Sequence, residues 1–159
     1  MTRRQLLSAL AALGLARPGP GTAAVPERAD AVRRSNDEWR KRLTAAQYDV
    51  LRGEGTEPPF SSALNGEKRR GIYRCAGCEL ALFTSEMKFD SGTGWPSFTT
   101  ALPDAVSTRT DYKLLLPRTE YHCARCGGHQ GHVFNDGPKP TGKRYCNNGV
   151  ALTFEPQGA

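Results

Sequence analysis

Two C-x-x-C pairs, Cys75-Ala76-Gly77-Cys78 and Cys123-Ala124-Arg125-Cys126, constrain this chain more than any other feature. Each pair, held in a tight turn, can present both sulfurs to one ion, and two pairs supply the four thiolates of a closed tetrahedral zinc site. The pairs stand 44 residues apart, further than in an ordinary zinc ribbon, so a substantial part of the fold must loop between them. Two disulfides are an alternative, since an exported protein forms them readily. Thioredoxin-like redox pairs are another, but neither pair sits in the βαβ pattern that such a role requires. Structural zinc is the favoured reading. Four thiolates leave no open coordination position, so this metal contributes to folding rather than to chemistry.

The composition suits a small domain that needs such a staple. The chain has 159 residues, enough for one domain, with a hydrophobic share of 38%, 17 Gly and 11 Pro. That favours a turn-rich β domain over a helical bundle. The net charge of +6 falls to +3, from 19 basic and 16 acidic side chains, once residues 1–24 are set aside. No Lys/Arg run is flanked by aromatics, so nucleic acid is not an expected partner. The basic triplet Lys68-Arg69-Arg70 reads as a solvated turn.

Residues 1–24 read as an export signal. Thr2-Arg3-Arg4-Gln5-Leu6-Leu7 is similar to a twin-arginine motif, and a short apolar stretch runs on to about Leu15. That stretch is too short to be a permanent membrane span. Thr22-Ala23-Ala24 offers small residues for cleavage. The expected location is the bacterial periplasm; a disordered basic N-terminus on a cytoplasmic protein is the alternative. Residues 25–34 read as a linker and residues 35–155 as the folded domain.

Two short helices follow. Ser35-Asn36-Asp37-Glu38 and Thr44-Ala45-Ala46-Gln47 are capping boxes. Trp39 and Leu43 share one face, Tyr48 and Leu51 another, and Gly53 can close the second helix. From Gly71 onward the signals are strand and turn. Strands are expected at Gly71–Cys75, Leu80–Thr84, Asp111–Leu116, Thr119–Cys123, His132–Phe134 and Val150–Phe154, in an antiparallel set.

The fifth cysteine, Cys146, lies in Lys143-Arg144-Tyr145-Cys146-Asn147-Asn148-Gly149. Nearby cations raise the thiolate fraction, and only the thiolate attacks. If the segment is a strand, Arg144, Cys146 and Asn148 face one side. A buried, inert cysteine is the competing reading. All three histidines, His122, His129 and His132, fall in one stretch; acid–base work and metal ligation are both open to the last two. Trp95, between Gly94 and Pro96, either walls a pocket or plugs the core.

Together these residues closely resemble the B-type methionine sulfoxide reductases, which reduce methionine R-sulfoxide. The resemblance runs from about Ser35 to Phe154. It includes Gly55-Thr56-Glu57-Pro58-Pro59-Phe60, Lys88 through Phe98, Arg118-Thr119-Glu120, Gly131-His132-Val133-Phe134 and Arg144-Tyr145-Cys146. It implies a mainly β fold of antiparallel sheets forming an open, barrel-like core with short N-terminal helices. It also implies one structural zinc ion on Cys75, Cys78, Cys123 and Cys126. Cys146 is then the nucleophile and Trp95 the wall that receives the substrate methyl group. His129, His132 and Asn148 surround the sulfoxide oxygen, with Asp136 and Arg144 in support. Oxidised proteins or free methionine R-sulfoxide are the implied substrates, and a small thiol or thioredoxin-like protein the reductant. The chain departs from many members by carrying Thr93 in place of a second, resolving cysteine. Gln130 and Asn147 replace residues that are usually apolar, and Gly149 a usual Ser. A non-catalytic zinc-ribbon module and a disulfide-handling protein are the competing functions.

Overall fold

Both helices begin where their capping residues stand. The computed structural model describes residues 28–158 except Leu115; the expected export signal, and the start of the expected linker, lie outside the described residues. Helix α1 spans Asn36–Arg42 and α2 spans Ala45–Gly53, each with both bonds of its capping box made. Trp39 and Leu43 are buried on the same side, and Val50 and Leu51 anchor α2. Gly53 is the last helical residue rather than the left-handed stop. That position falls on Glu54, at φ 56 and ψ 34, one residue later than the glycine signal suggests.

Nine strands follow among the described residues. They are β1 Gly71–Cys75, β2 Ala81–Thr84, β3 Lys88–Phe89, β4 Ser97–Phe98, β5 Val106–Asp111, β6 Arg118–Cys123, β7 His129–Phe134, β8 Arg144–Asn147 and β9 Leu152–Pro156. A three-stranded sheet has the order β2-β1-β9 and a six-stranded sheet the order β3-β4-β8-β7-β6-β5. Every pairing is antiparallel. Neither sheet closes into a barrel.

The expected strand over Asp111–Leu116 is not formed. Asp111 ends β5 instead, and the residues after it make the connection to β6. β5 gives no apolar alternation because it is an edge strand whose central four residues are all exposed.

The sheets meet through aromatic rings. Tyr73 and Phe83 of the smaller sheet and Phe98 and Tyr121 of the larger are fully buried. Phe83 stacks on Phe98 at 4.0 Å, and Tyr73 meets Phe98 edge-on at 5.0 Å. Each such pair contributes about 0.5–1.5 kcal/mol beyond the area it buries. Residues 28–34 form no helix or strand, but they are fastened to the β6–β7 turn. The Val32 amide donates to the Arg125 carbonyl at 2.8 Å, and Arg125 pairs with Asp30. No helix among the described residues is long and apolar enough to cross a membrane.

Leu51 ties α2 to both cysteine turns. A β-carbon added at Gly128 would lie 2.9 Å from Leu51 Cδ2, and one at Gly77 would lie 3.6 Å from Leu51 Cδ1. The two glycines leave the notch that this side chain fills. Leu51→Ala is therefore expected to cost about 2–5 kcal/mol, read as a lowered midpoint in denaturant unfolding. A loss under about 1 kcal/mol would show that α2 is not a structural cover for the turns.

Candidate active site and metal centre

The two C-x-x-C turns, one after β1 and one after β6, bring four sulfurs within 4.8 Å of one another. Cys75 and Cys126 sulfurs are 3.7 Å apart, and Cys78 and Cys123 sulfurs 3.4 Å. A disulfide would require about 2.05 Å, and all five cysteines are free. Sulfurs placed ~2.3 Å from a central zinc in a tetrahedron stand about 3.8 Å apart, close to the separations found. The donor set therefore fits a metal ion. Hydrogen bonding within the cluster divides the four thiols, pushing Cys75 and Cys126 upward and Cys78 and Cys123 downward, so they do not all ionise together unaided. A thiophilic divalent cation resolves that conflict by binding all four as thiolates.

Cys146 lies apart from this cluster, near the middle of the larger sheet. It stands opposite Ser97 on β4 and opposite His132 on β7. His132 is opposite Glu120 on β6, and Glu120 opposite Arg109 on β5. Directly opposed residues of antiparallel strands share a face. Ser97, Cys146, His132, Glu120 and Arg109 therefore form one row across five strands. The row depends on Gly131, where a β-carbon would sit 1.9 Å from the Cys146 carbonyl oxygen. Any side chain there would push β7 from β8.

Above the sulfur is a cavity of about 130 Å³ lined by Thr56, Trp95, Arg118, Gly131, His132, Phe134, Cys146, Asn147 and Asn148. Trp95 is fixed by its indole N–H, which donates to the Glu57 carbonyl at 3.1 Å. Its turn needs Gly94, at φ 94, where a β-carbon would meet Pro59 at 2.8 Å. A wider groove, about 1080 Å³, runs along Arg28–Arg33 and the β6–β7 turn. Its lining holds no histidine and, apart from Cys126 of the four-sulfur cluster, no cysteine, whereas the smaller cavity brings Cys146 and His132 together.

Burial pushes the Cys146 thiol up, while the adjacent Arg144 charge and hydrogen bonds from Arg144 and Thr93 pull it back; the net direction is upward. Arg144 is held by Asp136 through two bonds of 2.9 Å, and its guanidinium lies 4.4 Å from the Phe134 ring centroid. Neither Arg144 nor Asp136 lines the cavity: Asp136 holds Arg144, and the Arg144 charge favours the Cys146 thiolate.

His132 reaches the cavity with its Nε2 2.8 Å from Asp111 Oδ2, and the same oxygen accepts from Arg118 at 2.6 Å. His129 does not line the cavity. It lies behind His132, ring centroids 5.6 Å apart, with Nδ1 2.5 Å from Glu120 Oε1. His122 Nε2 is 2.9 Å from the same oxygen, and Arg109 holds the other at 2.7 Å. The nearest ligand atoms of Glu120, His122 and His129 are grouped closely enough to suggest a second metal. The spacings are hydrogen-bond lengths, however, and the Arg109 cation already occupies the carboxylate. If Glu120 accepts from His129 Nδ1–H, His129 Nε2 carries the lone pair; that atom is buried without a partner. Burial pushes Glu120 up, but Arg109 and the two imidazoles outweigh it and hold the carboxylate below its usual range.

Asn148 lines the cavity, just beyond the end of β8, and its amide is engaged by backbone. It accepts from the Glu57 N–H at 3.0 Å and donates to the Gln130 carbonyl at 3.0 Å. The unusual pair Gln130 and Asn147 also has a partner set. Asn147 donates to Gln130 Oε1 at 3.3 Å and accepts from Tyr121 OH at 2.6 Å, and Gln130 donates to the Cys75 sulfur at 3.4 Å. The two polar replacements satisfy each other in the core.

Asp111 and Glu120 hold the histidines of the candidate site, and sequence reasoning does not single them out. Glu120 lies in a recognised motif, but its contact with the histidines depends on strand pairing.

The chain matches the family described as "SelR domain" over residues 43–156. It is 53% identical over 126 residues to the peptide methionine sulfoxide reductase MsrB of Methanosarcina barkeri, covering 79% of this chain and 89% of that protein. It is 51% identical over 126 residues to the MsrB of Agrobacterium fabrum, covering 79% and 93%. The solved Mis18 "Yippee-like" domain shares 18% identity, covers 57% of this chain and all of its own, and gives a TM-score of 0.45, too distant a likeness to add to the argument. By its family match and its curated relatives, this chain belongs to the SelR domain family, the family of the MsrB peptide methionine sulfoxide reductases.

Proposed function

We propose that this chain reduces methionine R-sulfoxide, in proteins or free, by attack of the Cys146 thiolate on the sulfoxide sulfur. The observation that carries this reading is the separation of roles among five sulfurs. Four converge on one point, while Cys146 opens alone into a small cavity beside Trp95, Arg118 and His132. The cavity suits a methylsulfinyl end group, whose methyl can rest on the Trp95 ring.

The chemistry balances without a metal step. Sulfoxide oxygen leaves sulfur poorly until it is protonated. His132, oriented by Asp111, is the group placed to deliver that proton, and Asn148 lines the same cavity. The Cys146 thiolate donates two electrons to the substrate sulfur and takes its oxygen. The thioether leaves, and Cys146 becomes a sulfenic acid. An external thiol then condenses with it, releasing water, and a second thiol displaces the mixed disulfide to restore the thiolate. Thr93 replaces the second cysteine of many relatives, and the other four sulfurs are committed to the metal, so a one-cysteine cycle follows. A small thiol or thioredoxin-like protein is the proposed donor.

We read the four-sulfur site as structural zinc on Cys75, Cys78, Cys123 and Cys126. The ion would join two turns of the fold and supply binding energy to folding. We read residues 1–24 as a twin-arginine export signal to the periplasm and residues 35–155 as the reductase domain. The support for both is the sequence pattern.

Zinc analysis of the purified protein is expected to give one ion per chain, and chelation to lower the thermal midpoint sharply. A midpoint unchanged by complete metal removal would contradict a structural ion. Cys146→Ser is expected to keep zinc and lose R-epimer reduction by more than about 10³-fold, with dithiothreitol as donor; retained activity would overturn the assignment.

Because burial raises the Cys146 thiol, the chemical rate should rise as pH climbs through its ionisation. Arg144→Gln removes a favourable charge, so the rise should move to higher pH and the neutral rate fall about tenfold. Superimposable pH profiles for the variant and wild type would contradict the role given to Arg144.

A further inference from the structure

Cys146 has a second polar neighbourhood, on the side away from His132. Ser91 Oγ lies 2.8 Å from both Thr93 Oγ1 and Ser97 Oγ. Ser97 is fully buried, opposite Cys146 in the β4–β8 ladder, with its hydroxyl 3.2 Å from the Trp95 carbonyl. At the other end the chain reaches Cys146 through Thr93, whose hydroxyl favours the thiolate form of that sulfur. The turn that gathers them has Gly92 at φ 69 and is pinned by Asp90, which accepts from the Gly92 amide at 2.9 Å. The hydrogen-bonded path is Trp95 carbonyl, Ser97, Ser91, Thr93, and its Thr93 end lies beside Cys146.

Each hydroxyl carries one proton, so the path has two self-consistent directions. In one, Ser97 donates to Ser91, Ser91 to Thr93, and Thr93 to the sulfur. In the other, the group on sulfur donates to Thr93, Thr93 to Ser91, Ser91 to Ser97, and Ser97 to the Trp95 carbonyl. The first direction places a donor on the sulfur and suits a thiolate. The second places an acceptor there and suits S–H or S–OH. The Trp95 carbonyl is what makes the second direction possible, because it takes the proton that Ser97 no longer gives to Ser91.

We propose that Ser97, Ser91 and Thr93 form a reversible hydrogen-bond chain under the nucleophile, donating to Cys146 as a thiolate and accepting from it once it carries a hydroxyl. The proposal rests on Cys146 as the reacting cysteine, and it makes these three positioning residues. Reversal needs only rotation of the hydroxyls, and no proton leaves the chain. The site therefore holds both states of the one-cysteine cycle, the attacking thiolate and the sulfenic acid that awaits an external thiol. Thr93 stands where many relatives carry a resolving cysteine. It makes no covalent bond to the oxidised sulfur, but gives its S–OH a fixed acceptor.

The other groups around Cys146 are Arg144 with its partner Asp136, His132 on β7, Tyr121 on β6 and Arg118 across the cavity. All remain when Thr93 is changed, so an altered reactivity of the thiol can be assigned to the lost hydroxyl. The test is the rate of alkylation of Cys146 by iodoacetamide against pH in the zinc-loaded protein, with the modified residue located by mass spectrometry. It is applied to wild type, Thr93→Val, Thr93→Ser and Ser91→Ala. Thr93→Val is expected to react about tenfold more slowly at neutral pH, with the deficit closing at alkaline pH where the thiol is fully ionised. Thr93→Ser should follow wild type, and Ser91→Ala should fall between. A Thr93→Val profile that matches wild type, or a deficit equal at every pH, overturns the proposal. Should Thr93→Val fail to fold, Ser91→Ala decides, and an unchanged profile there overturns it equally. Alkylation needs no sulfoxide. A pH shift of the expected form in a protein that fails to reduce R-sulfoxide would therefore sink the reductase reading and leave the hydrogen-bond chain standing.

Discussion

Convergence of four cysteine sulfurs on one point is the constraint from which the rest of the structure follows. Cys75 ends a strand of the smaller sheet and Cys123 a strand of the larger. Their shared site therefore holds one sheet to the other. The aromatic seam of Tyr73, Phe83, Phe98 and Tyr121 lies between the sheets, and α2 covers the two turns through Leu51. A domain of this size with a modest apolar content gains from such a covalent-like tie, because its core alone buries limited area. The site also reaches toward the chemistry. Gln130 touches the Cys75 sulfur and is bonded to Asn147, the residue after Cys146. Hydrogen bonds thereby connect the four-sulfur cluster to the strand that carries Cys146.

The second organising feature is the row across the larger sheet. Strand register sets Ser97, Cys146, His132, Glu120 and Arg109 side by side. The sulfur thus has hydroxyls on one flank and an imidazole on the other. Behind the imidazoles stand two carboxylates, Asp111 and Glu120, each balanced by an arginine. A buried carboxylate is tolerated when it is paired and hydrogen-bonded, and here the pairing also orients the rings. The close approach at Gly131 keeps the row compact, and the bound Trp95 indole gives the cavity a rigid apolar wall.

Much of this was legible from the residues, for physical reasons that differ by element. Helix starts at Ser35 and Thr44 were readable because a capping box is a local signal. The cysteine turns were readable because thiolate spacing is a chemical signal. Edge strand β5 was not readable, since exposure on both faces erases the alternation that marks a strand. Missing β5 concealed the partnership of Arg109 with Glu120, and the extra strand expected over Asp111–Leu116 concealed the role of Asp111 as the turn-end carboxylate that meets His132. Gln130 and Asn147 looked like separate departures from the family pattern. Only the β7–β8 pairing shows that they answer each other. The stop of α2 at Glu54 rather than Gly53 shows how little separates two adjacent residues at a helix end.

The central claim is that one sulfur is free to react while four are committed to a metal. The most direct test is a count of reactive thiols in the native, metal-loaded protein with a disulfide reagent, repeated after denaturation in chelator. One rapidly reacting thiol at Cys146 in the native state, and all five after unfolding and chelation, is the result this structure predicts. Several fast native thiols, or a native count of zero with Cys146 inaccessible to the reagent, would contradict it.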